Sequence, residues 1–210
     1  MLEVDEDSRL GRELLTGGGR YRAGLVPSDD AIARMYEAAI ERLETAGLAQ
    51  YEISNFGRTG FASRHNLRYW ERRPYVGLGL DASSALSLPG ARPRSDVVLR
   101  SNTTDDLKAY LEGGEKAETA WLSPDRQHEE AWFLGLRLNA GVAIAQLEEE
   151  FGPETVRPAL DVVERLADDG LLLSDGKRVA LTARGRLLSN DVFQEFLGLD
   201  AVESRTGAAN

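Results

Sequence analysis

The sequence predicts an α/β segment followed by a helical C-terminal module that contains a β-hairpin. Three observations support this prediction. Over the first 55 residues, an apolar run, a loop, an amphipathic helix and a β-prone run follow one another, the order typical of parallel α/β structure. A stretch rich in aromatic residues and glycine comes next. Beyond residue 120, four helical patterns surround two short β-prone runs.

The composition limits the class of protein. A chain of 210 residues can bury a core as one domain or as two small ones. Its lack of cysteine excludes disulfides, thiolate zinc sites and an iron–sulfur cluster held by this chain. A net charge of −10 argues against a nucleic-acid partner, because phosphate binding needs clustered Lys and Arg. With no long apolar run and no signal-peptide pattern, we expect no transmembrane segment and a cytoplasmic location.

Residues 1–55 predict a strand at 2–4, a loop, a helix and a second strand at 51–54. The acidic and then glycine-rich residues 5–19 predict a loop with one helical turn. Ser28 is a suitable N-cap and Gly47 a suitable C-cap for the helix. Its apolar face carries Ile32, Met35, Tyr36, Ala39, Ile40 and Leu43. One such unit cannot close a barrel, so its strand edge needs neighbours that we expect in a longer chain.

Residues 56–115 predict a loop, a hairpin and a connector. Glycines and polar residues break the strand into a loop that carries HNLRYW. The GLG at 77–79 lacks the third glycine of a dinucleotide fingerprint, so it predicts a close backbone approach instead. Residues 85–88 and 96–100 predict a hairpin, and Thr103 with Asp106 predicts a capped helix through Leu111. Polar residues 112–120 predict the domain boundary.

Residues 120–198 predict a compact module, followed by a flexible tail at 199–210. Ser123 and Pro124 begin a helix that should reach Leu138. A short helix is predicted at 144–151, then a longer one with Pro158 in its first turn. Two strands at 171–173 and 178–181 follow, and Thr182 caps a last helix that packs through Leu187, Leu188, Val192 and Phe196. Three helices, a β-wing and a helix are typical of a winged-helix-like fold.

Several ordered segments carry a family resemblance. YEISNF, HNLRYW and GLGLDASS resemble the segment after the catalytic barrel in oxygen-independent coproporphyrinogen III oxidase-like radical-SAM proteins. HNLRYW resembles the signature of the haem-chaperone branch of that family. MLEVDEDSRLG is similar to a late barrel strand, and RSNTTDDLKAYL, FLGLRLNAGV and VALTARGRLLSNDVFQEFL are similar to the C-terminal domain. One departure is Ser83, at a position where the resemblance implies histidine.

The resemblance implies the end of a radical-SAM (β/α) barrel over residues 1–55 and the C-terminal part of a protein that handles haem or porphyrin. It implies a [4Fe–4S] cluster and S-adenosylmethionine for the full-length family. Without cluster cysteines, this chain should do no radical chemistry alone. A cysteine-rich CxxxCxxC reading frame upstream of Met1 would support this interpretation. Haem-accepting proteins are further expected partners.

The resemblance also implies a haem site around HNLRYW. His65 would be the axial ligand through its neutral imidazole. Tyr69, Trp70 and Tyr75 would stack on the macrocycle. Arg68, with Arg64, Arg72 and Arg73 as further candidates, would pair with the propionates. The side chains and backbone expected to line the pocket are those of Tyr51, Asn55, Asn66, Gly77, Gly79 and Asp81.

The residues alone leave alternatives open. His65 could simply brace a loop through hydrogen bonds, and the acidic neighbours of His128 predict a surface position. The chain could be a free-standing winged-helix interaction or regulatory module. Against a DNA-binding form of it, the helix expected at 153–169 has more acidic than basic residues. The acidic run at 3–7 could attract a hard cation, but its spacing favours a solvated loop.

Overall fold

A computed structural model describes residues 8–17, 26–88, 97–113 and 118–199. The chain divides into two compact units, Met1–Ala62 and Ser63–Asn210. The fold is a mixture of helices and strands, and every strand pairing in the described ranges is antiparallel. The strand predicted at residues 2–4 lies outside those ranges. No helix in the described part of the chain has the length and apolar character needed to span a bilayer.

The first unit contains two helices and a tight hairpin. Helix α1 (Arg9–Thr16) begins at Ser8, whose hydroxyl accepts a hydrogen bond from the Gly11 amide. The prediction of a loop with one helical turn was therefore wrong, because this N-cap starts a helix of two turns. Helix α2 (Asp29–Thr45) begins at Ser28 as predicted.

Strands β1 (Ala49–Glu52) and β2 (Asn55–Gly57) form an antiparallel hairpin rather than the predicted single strand. Alternation across Tyr51 and Ile53 suggested one strand running through residue 54. The chain instead reverses direction at residues 53–54, and both Gln50 and Glu52 are buried. Tyr36 joins α2 to the hairpin, because its hydroxyl donates a 2.7 Å hydrogen bond to the Ile53 carbonyl.

The second unit begins with helix α3 (Arg64–Trp70), which contains HNLRYW. The prediction of a loop here was wrong. The Ser63 hydroxyl accepts a hydrogen bond from the Asn66 amide and starts a helix that propensity alone did not indicate. Strands β3 (Ser83–Leu88) and β4 (Val97–Asn102) confirm the predicted hairpin, and β5 (Glu118–Leu122) extends it into a three-stranded sheet.

Helix α4 (Leu107–Glu112) is capped by Asp106, whose carboxylate accepts hydrogen bonds from the Lys108 and Ala109 amides. Thr103, the predicted cap, does not cap this helix. Its hydroxyl instead donates a hydrogen bond to the Gly79 carbonyl and accepts one from the Ala82 amide. The boundary predicted at 112–120 lies partly outside the described residues and stays a prediction. Strand β5 begins inside that segment and pairs with β4.

The remaining elements follow the predicted order closely. They are α5 (Pro124–Gly135), β6 (Val142–Ala143), α6 (Ile144–Phe151), α7 (Pro153–Asp168), β7 (Leu172–Ser174), β8 (Arg178–Leu181), α8 (Ala183–Leu187) and α9 (Ser189–Gln194). Ser123 and Thr182 are N-caps, as expected. Strands β6, β8 and β7 form a sheet in that order.

Besides strand β6, which was not predicted, three details differ from the predictions for this part. Helix α5 ends at Gly135, short of Leu138. Pro158 is the sixth residue of α7 and lies in its second turn, because the helix already begins at Pro153. The last helix is two short ones that meet at Leu188, whose side chain is exposed rather than packed.

The core of the second unit centres on Trp132, which is fully buried and stacks on Phe196 with ring centroids 4.9 Å apart. His128, predicted to be a surface residue, is buried one turn before Trp132. Its acidic neighbours on α5 suggested solvent exposure. Its position four residues before Trp132 instead places it on the inner face of the helix.

Candidate functional site

Helix α3 presents His65 to solvent in its first turn. The side chain is exposed, and its imidazole packs edge-on against the Tyr69 ring, with centroids 4.9 Å apart. This contact follows from the helix, because residues four apart lie on one face. The imidazole itself remains accessible. The bracing role considered for His65 in a loop is not what this geometry shows.

Tyr69 in turn packs edge-on against Tyr75, at 4.6 Å. Tyr75 is held by its backbone, which exchanges two hydrogen bonds of 2.8 and 3.0 Å with Ala85 in β3. A groove of about 400 Å³ lies beside these rings. Its lining includes an imidazole, a guanidinium, two phenols and an apolar floor: His65, Arg68, Tyr69, Pro74, Tyr75, Val76 and Leu86.

Trp70 lies away from this groove. It lines a second cavity of about 510 Å³, bounded by α3, β3, β4 and α5. The Arg137 guanidinium lies over its ring, 4.5 Å from the centroid. Five helical positions separate Trp70 from His65, which places the two side chains on different faces of α3. The structure thus brings together His65, Arg68 and Tyr69 but not Trp70.

The four arginines expected to pair with the propionates differ in their contacts. Arg72 makes a bidentate ion pair with Glu150, with distances of 2.9 and 2.6 Å. Arg73 pairs with Glu71 at 2.6 Å. Arg68 donates to the Pro74 carbonyl at 2.6 Å and remains exposed. Arg64 is also exposed, and none of the ion pairs found in the described ranges involves it.

Four predicted pocket residues lie near the groove in sequence but are not part of its lining: Asn66, Gly77, Gly79 and Asp81. Asn66 is half-buried in α3. At Gly77, a Cβ would lie 2.2 Å from the Ser83 carbonyl oxygen, which confirms the predicted close backbone approach there. Gly79 instead adopts φ +117°, and Asp81 adopts φ +51° with its amide bonded to the Thr104 carbonyl. These residues shape the loop that leads into β3, where Ser83 pairs with Asn102.

Two predicted pocket residues, Tyr51 and Asn55, belong to the first unit. Tyr51 is half-buried in β1. Asn55 begins β2, and its amide donates a hydrogen bond to the Glu52 carboxylate. Within their own unit, both residues contribute to the hairpin.

Sequence reasoning missed Leu86, Arg100 and Glu130. Leu86 lines the groove, while Arg100 reaches Tyr75 and pairs with Glu130 at 2.6 Å. The alternating pattern of β3 could have marked Leu86 as one face of a strand. Arg100 could be identified as part of the site only from the register between β3 and β4, which places it opposite Ala85.

The available donors limit what this chain can hold. In the described ranges, no group of three or more His, Asp or Glu side chains could hold a metal ion. The chain has no thiolate for an iron–sulfur cluster. Of its two imidazoles, that of His65 is exposed. That of His128 is buried and accepts a 3.0 Å hydrogen bond from the Trp132 indole. The donor set therefore fits a single axial histidine contact to haem but not a cluster.

Comparisons with known proteins show which family the chain is similar to. Residues 122–188 match the HemN C-terminal domain family. The chain is 34% identical over 178 residues to "Heme chaperone HemW" of Bacillus subtilis, covering 82% of the chain and 44% of that protein. It is 35% identical over 185 residues to the Mycobacterium tuberculosis protein of the same name, covering 85% and 43%. The chain thus spans less than half the length of these relatives.

A solved structure shows the same fold. The chain superposes on Escherichia coli coproporphyrinogen III oxidase (HemN), described as a radical SAM enzyme, with a TM-score of 0.58 and 19% identity. The match covers 81% of the chain and 42% of that structure. Over most of its length, the chain is therefore similar to the C-terminal portion of the oxygen-independent coproporphyrinogen III oxidase-like radical-SAM proteins, and most of all to their haem-chaperone branch.

Proposed function

We propose that this chain handles haem or porphyrin as the C-terminal part of a radical-SAM haem chaperone or coproporphyrinogen oxidase-like protein, and passes it to haem-accepting proteins. The observation that carries the proposal is the exposed imidazole of His65 beside the paired rings of Tyr69 and Tyr75. Relatives at 34–35% identity are named as heme chaperones. Haem is the cargo here, so the site needs accessibility rather than deep burial.

In this proposal, each groove residue has a distinct role. His65 provides the axial nitrogen, and Tyr69 with Tyr75 offers aromatic surface to the macrocycle. Arg68 and Arg64 pair with the propionates, because Arg72 and Arg73 already have carboxylate partners. Trp70 supports α3 from its other side through Arg137 rather than touching the cargo.

The proposed function is tested by titrating the untagged protein with haem, since a histidine tag would supply competing imidazoles. We expect a shifted Soret band that saturates near one equivalent. His65→Ala should abolish or move that band. Asn66→Ala, one residue further along α3, is the matched control and should change it little. An unchanged band in His65→Ala would remove the ligand role, and no binding by the wild type would contradict the proposal.

The proposal includes the finer fold assignment. We infer that residues 120–198 form a winged-helix-like module, because helix, strand, two helices and a two-stranded hairpin follow one another there. Residues 1–55 would be the end of a radical-SAM barrel. Limited proteolysis should then cut near residues 113–118 and leave a resistant fragment of residues 120–198. Persistence of an uncut fragment that begins near residue 63 would contradict a boundary near residues 113–118.

The same proposal implies that this chain alone carries out no radical chemistry. Reductive cleavage of S-adenosylmethionine needs a thiolate-bound cluster, and the chain has no cysteine. Anaerobic reconstitution with iron and sulfide should leave only adventitious iron. A stoichiometric [4Fe–4S] signal by EPR in this chain would contradict the inference.

We do not propose a nucleic-acid function. On α7, Arg157 pairs with Glu154, and Arg165 pairs with Glu195. The other exposed charges between residues 153 and 169 are acidic: Asp161, Glu164, Asp168 and Asp169. Such a face repels phosphates. Salt-dependent retention of the protein on DNA would argue for the interaction-module alternative.

A further inference from the structure

A series of contacts connects the ion pair between Arg100 and Glu130 to the imidazole of His65. His65 packs on Tyr69, and Tyr69 packs on Tyr75, both edge-on at 4.9 and 4.6 Å. The Tyr75 hydroxyl accepts a hydrogen bond from Arg100 Nη1 at 3.4 Å. Arg100 Nη2 in turn lies 2.6 Å from Glu130 Oε2. The series of contacts therefore runs from α3 through the sheet to α5.

The sheet register explains how Arg100 reaches Tyr75. Tyr75 bridges to Ala85 at the edge of β3, and Ala85 lies opposite Arg100 in β4. The guanidinium therefore has to pass over the position of Ala85, where the side chain is only a buried methyl group. Glu130 holds the guanidinium from the helix side, and its side chain is 19% exposed. Because the Arg100 side chain is 34% exposed, the pair is partly buried, and salt screens it less than a surface pair.

The imidazole of His65 has no comparable restraint of its own. Its ring contact within the described residues is with Tyr69, and the residue is exposed. Its orientation therefore depends on where Tyr69 and Tyr75 lie. A flexible exposed side chain loses rotamer freedom when it binds a ligand, and prior restraint reduces that cost.

We propose that Arg100 and Glu130 are positioning residues for His65, acting through Tyr75 and Tyr69. Neither residue needs to touch the cargo. The role in haem binding rests on the proposed function, but the mechanical link does not, because it concerns only contacts within this chain.

The link is tested first without haem, by NMR of the two histidine imidazoles in the whole chain. Tyr75→Phe removes only the hydroxyl, and Arg100→Met removes the charge while keeping a long side chain. Both should shift the ring-proton signals of His65 and leave those of buried His128 in place. Arg100→Lys should restore the signal in part. Arg72→Met, which breaks the neighbouring ion pair with Glu150, is the matched control and should leave His65 unchanged.

The second test is haem affinity in the same variants. Tyr75→Phe and Arg100→Met should each raise the Kd about fivefold, the equivalent of one typical hydrogen bond, and combining them should add little. His65 signals that do not move in either variant, or that move equally in Arg72→Met, would overturn the proposal. If those signals move but the wild type binds no haem, the link stands and the proposed function fails.

Discussion

The indole nitrogen of Trp132 donates a 3.0 Å hydrogen bond to Nε2 of His128, one turn earlier on α5, and both side chains are buried. The His128 ring also lies 5.1 Å from the Phe151 ring. One of the two histidines is therefore a core residue, which leaves the other as the accessible imidazole.

We expect His128→Ala to lower the free energy of unfolding by about 2–4 kcal/mol, because it leaves a cavity and a buried indole N–H without its acceptor. Urea denaturation measures the loss. His65→Ala is the control and should stay within about 0.5 kcal/mol of the wild type, since its side chain is exposed. Equal losses in the two variants would mean that His128 does not hold the core.

Arg72→Met should lower the free energy of unfolding by about 1 kcal/mol, because a bidentate, half-buried pair with Glu150 is lost. Arg72 adopts φ +52°, and the strain of this backbone conformation is the same for Arg and for Met. Arg157→Met breaks an exposed pair with Glu154 on α7 and should cost less than about 0.5 kcal/mol. Denaturation at low and high salt measures both. A larger loss for Arg157→Met would contradict the ranking.

The hydrogen bonds of Asp175 predict that the turn between β7 and β8 is sensitive to acid. Its carboxylate accepts hydrogen bonds from the Arg178 and Lys177 amides, which lower its pKa below the ordinary 3.8. A carboxyl with a lowered folded-state pKa stabilises the fold above its ordinary pKa. That contribution is lost as the pH falls through the lowered value. Asp175→Asn should therefore be less stable than the wild type at neutral pH, and the two should converge in acid. Titration of Asp175 at or above 3.8, followed by carboxyl NMR, would contradict this.

The two units should differ in local stability. Among the described residues of the first unit, Ile53 is the fully buried apolar side chain, and its hairpin interior is otherwise polar. The second unit buries the Trp132 and Phe196 stack and the inner face of α7. Native-state hydrogen exchange should therefore be fast before about residue 60 and slow in α5 and α7. Uniform protection would mean that residues 1–62 form an independently stable domain.

Much of the second unit could be predicted from sequence because its signals are local. Ser123 and Thr182 mark their helices through side-chain caps, and the apolar spacing in α6 and α7 is regular. The reversal at residues 53–54 has no glycine or proline to mark it. The burial of His128 depends on α6 and its Phe151, which packing alone brings to α5.

The candidate site could be predicted only in part, for a similar reason. HNLRYW identified His65, but assigning it to a loop placed Trp70 beside the imidazole. The helix separates the two side chains. The contribution of Leu86 and Arg100 depends on strand register between β3 and β4, which tertiary packing fixes.

The central claim is that His65 is the haem ligand, and pulsed EPR of the ferric haem complex with ¹⁵N-histidine-labelled protein tests it most directly. The chain has two histidines, so the nitrogen coupling can be assigned by substitution. We predict coupling from one imidazole that disappears in His65→Ala and persists in His128→Gln. Coupling that persists in His65→Ala, or a saturated wild-type complex without histidine coupling, would contradict the account.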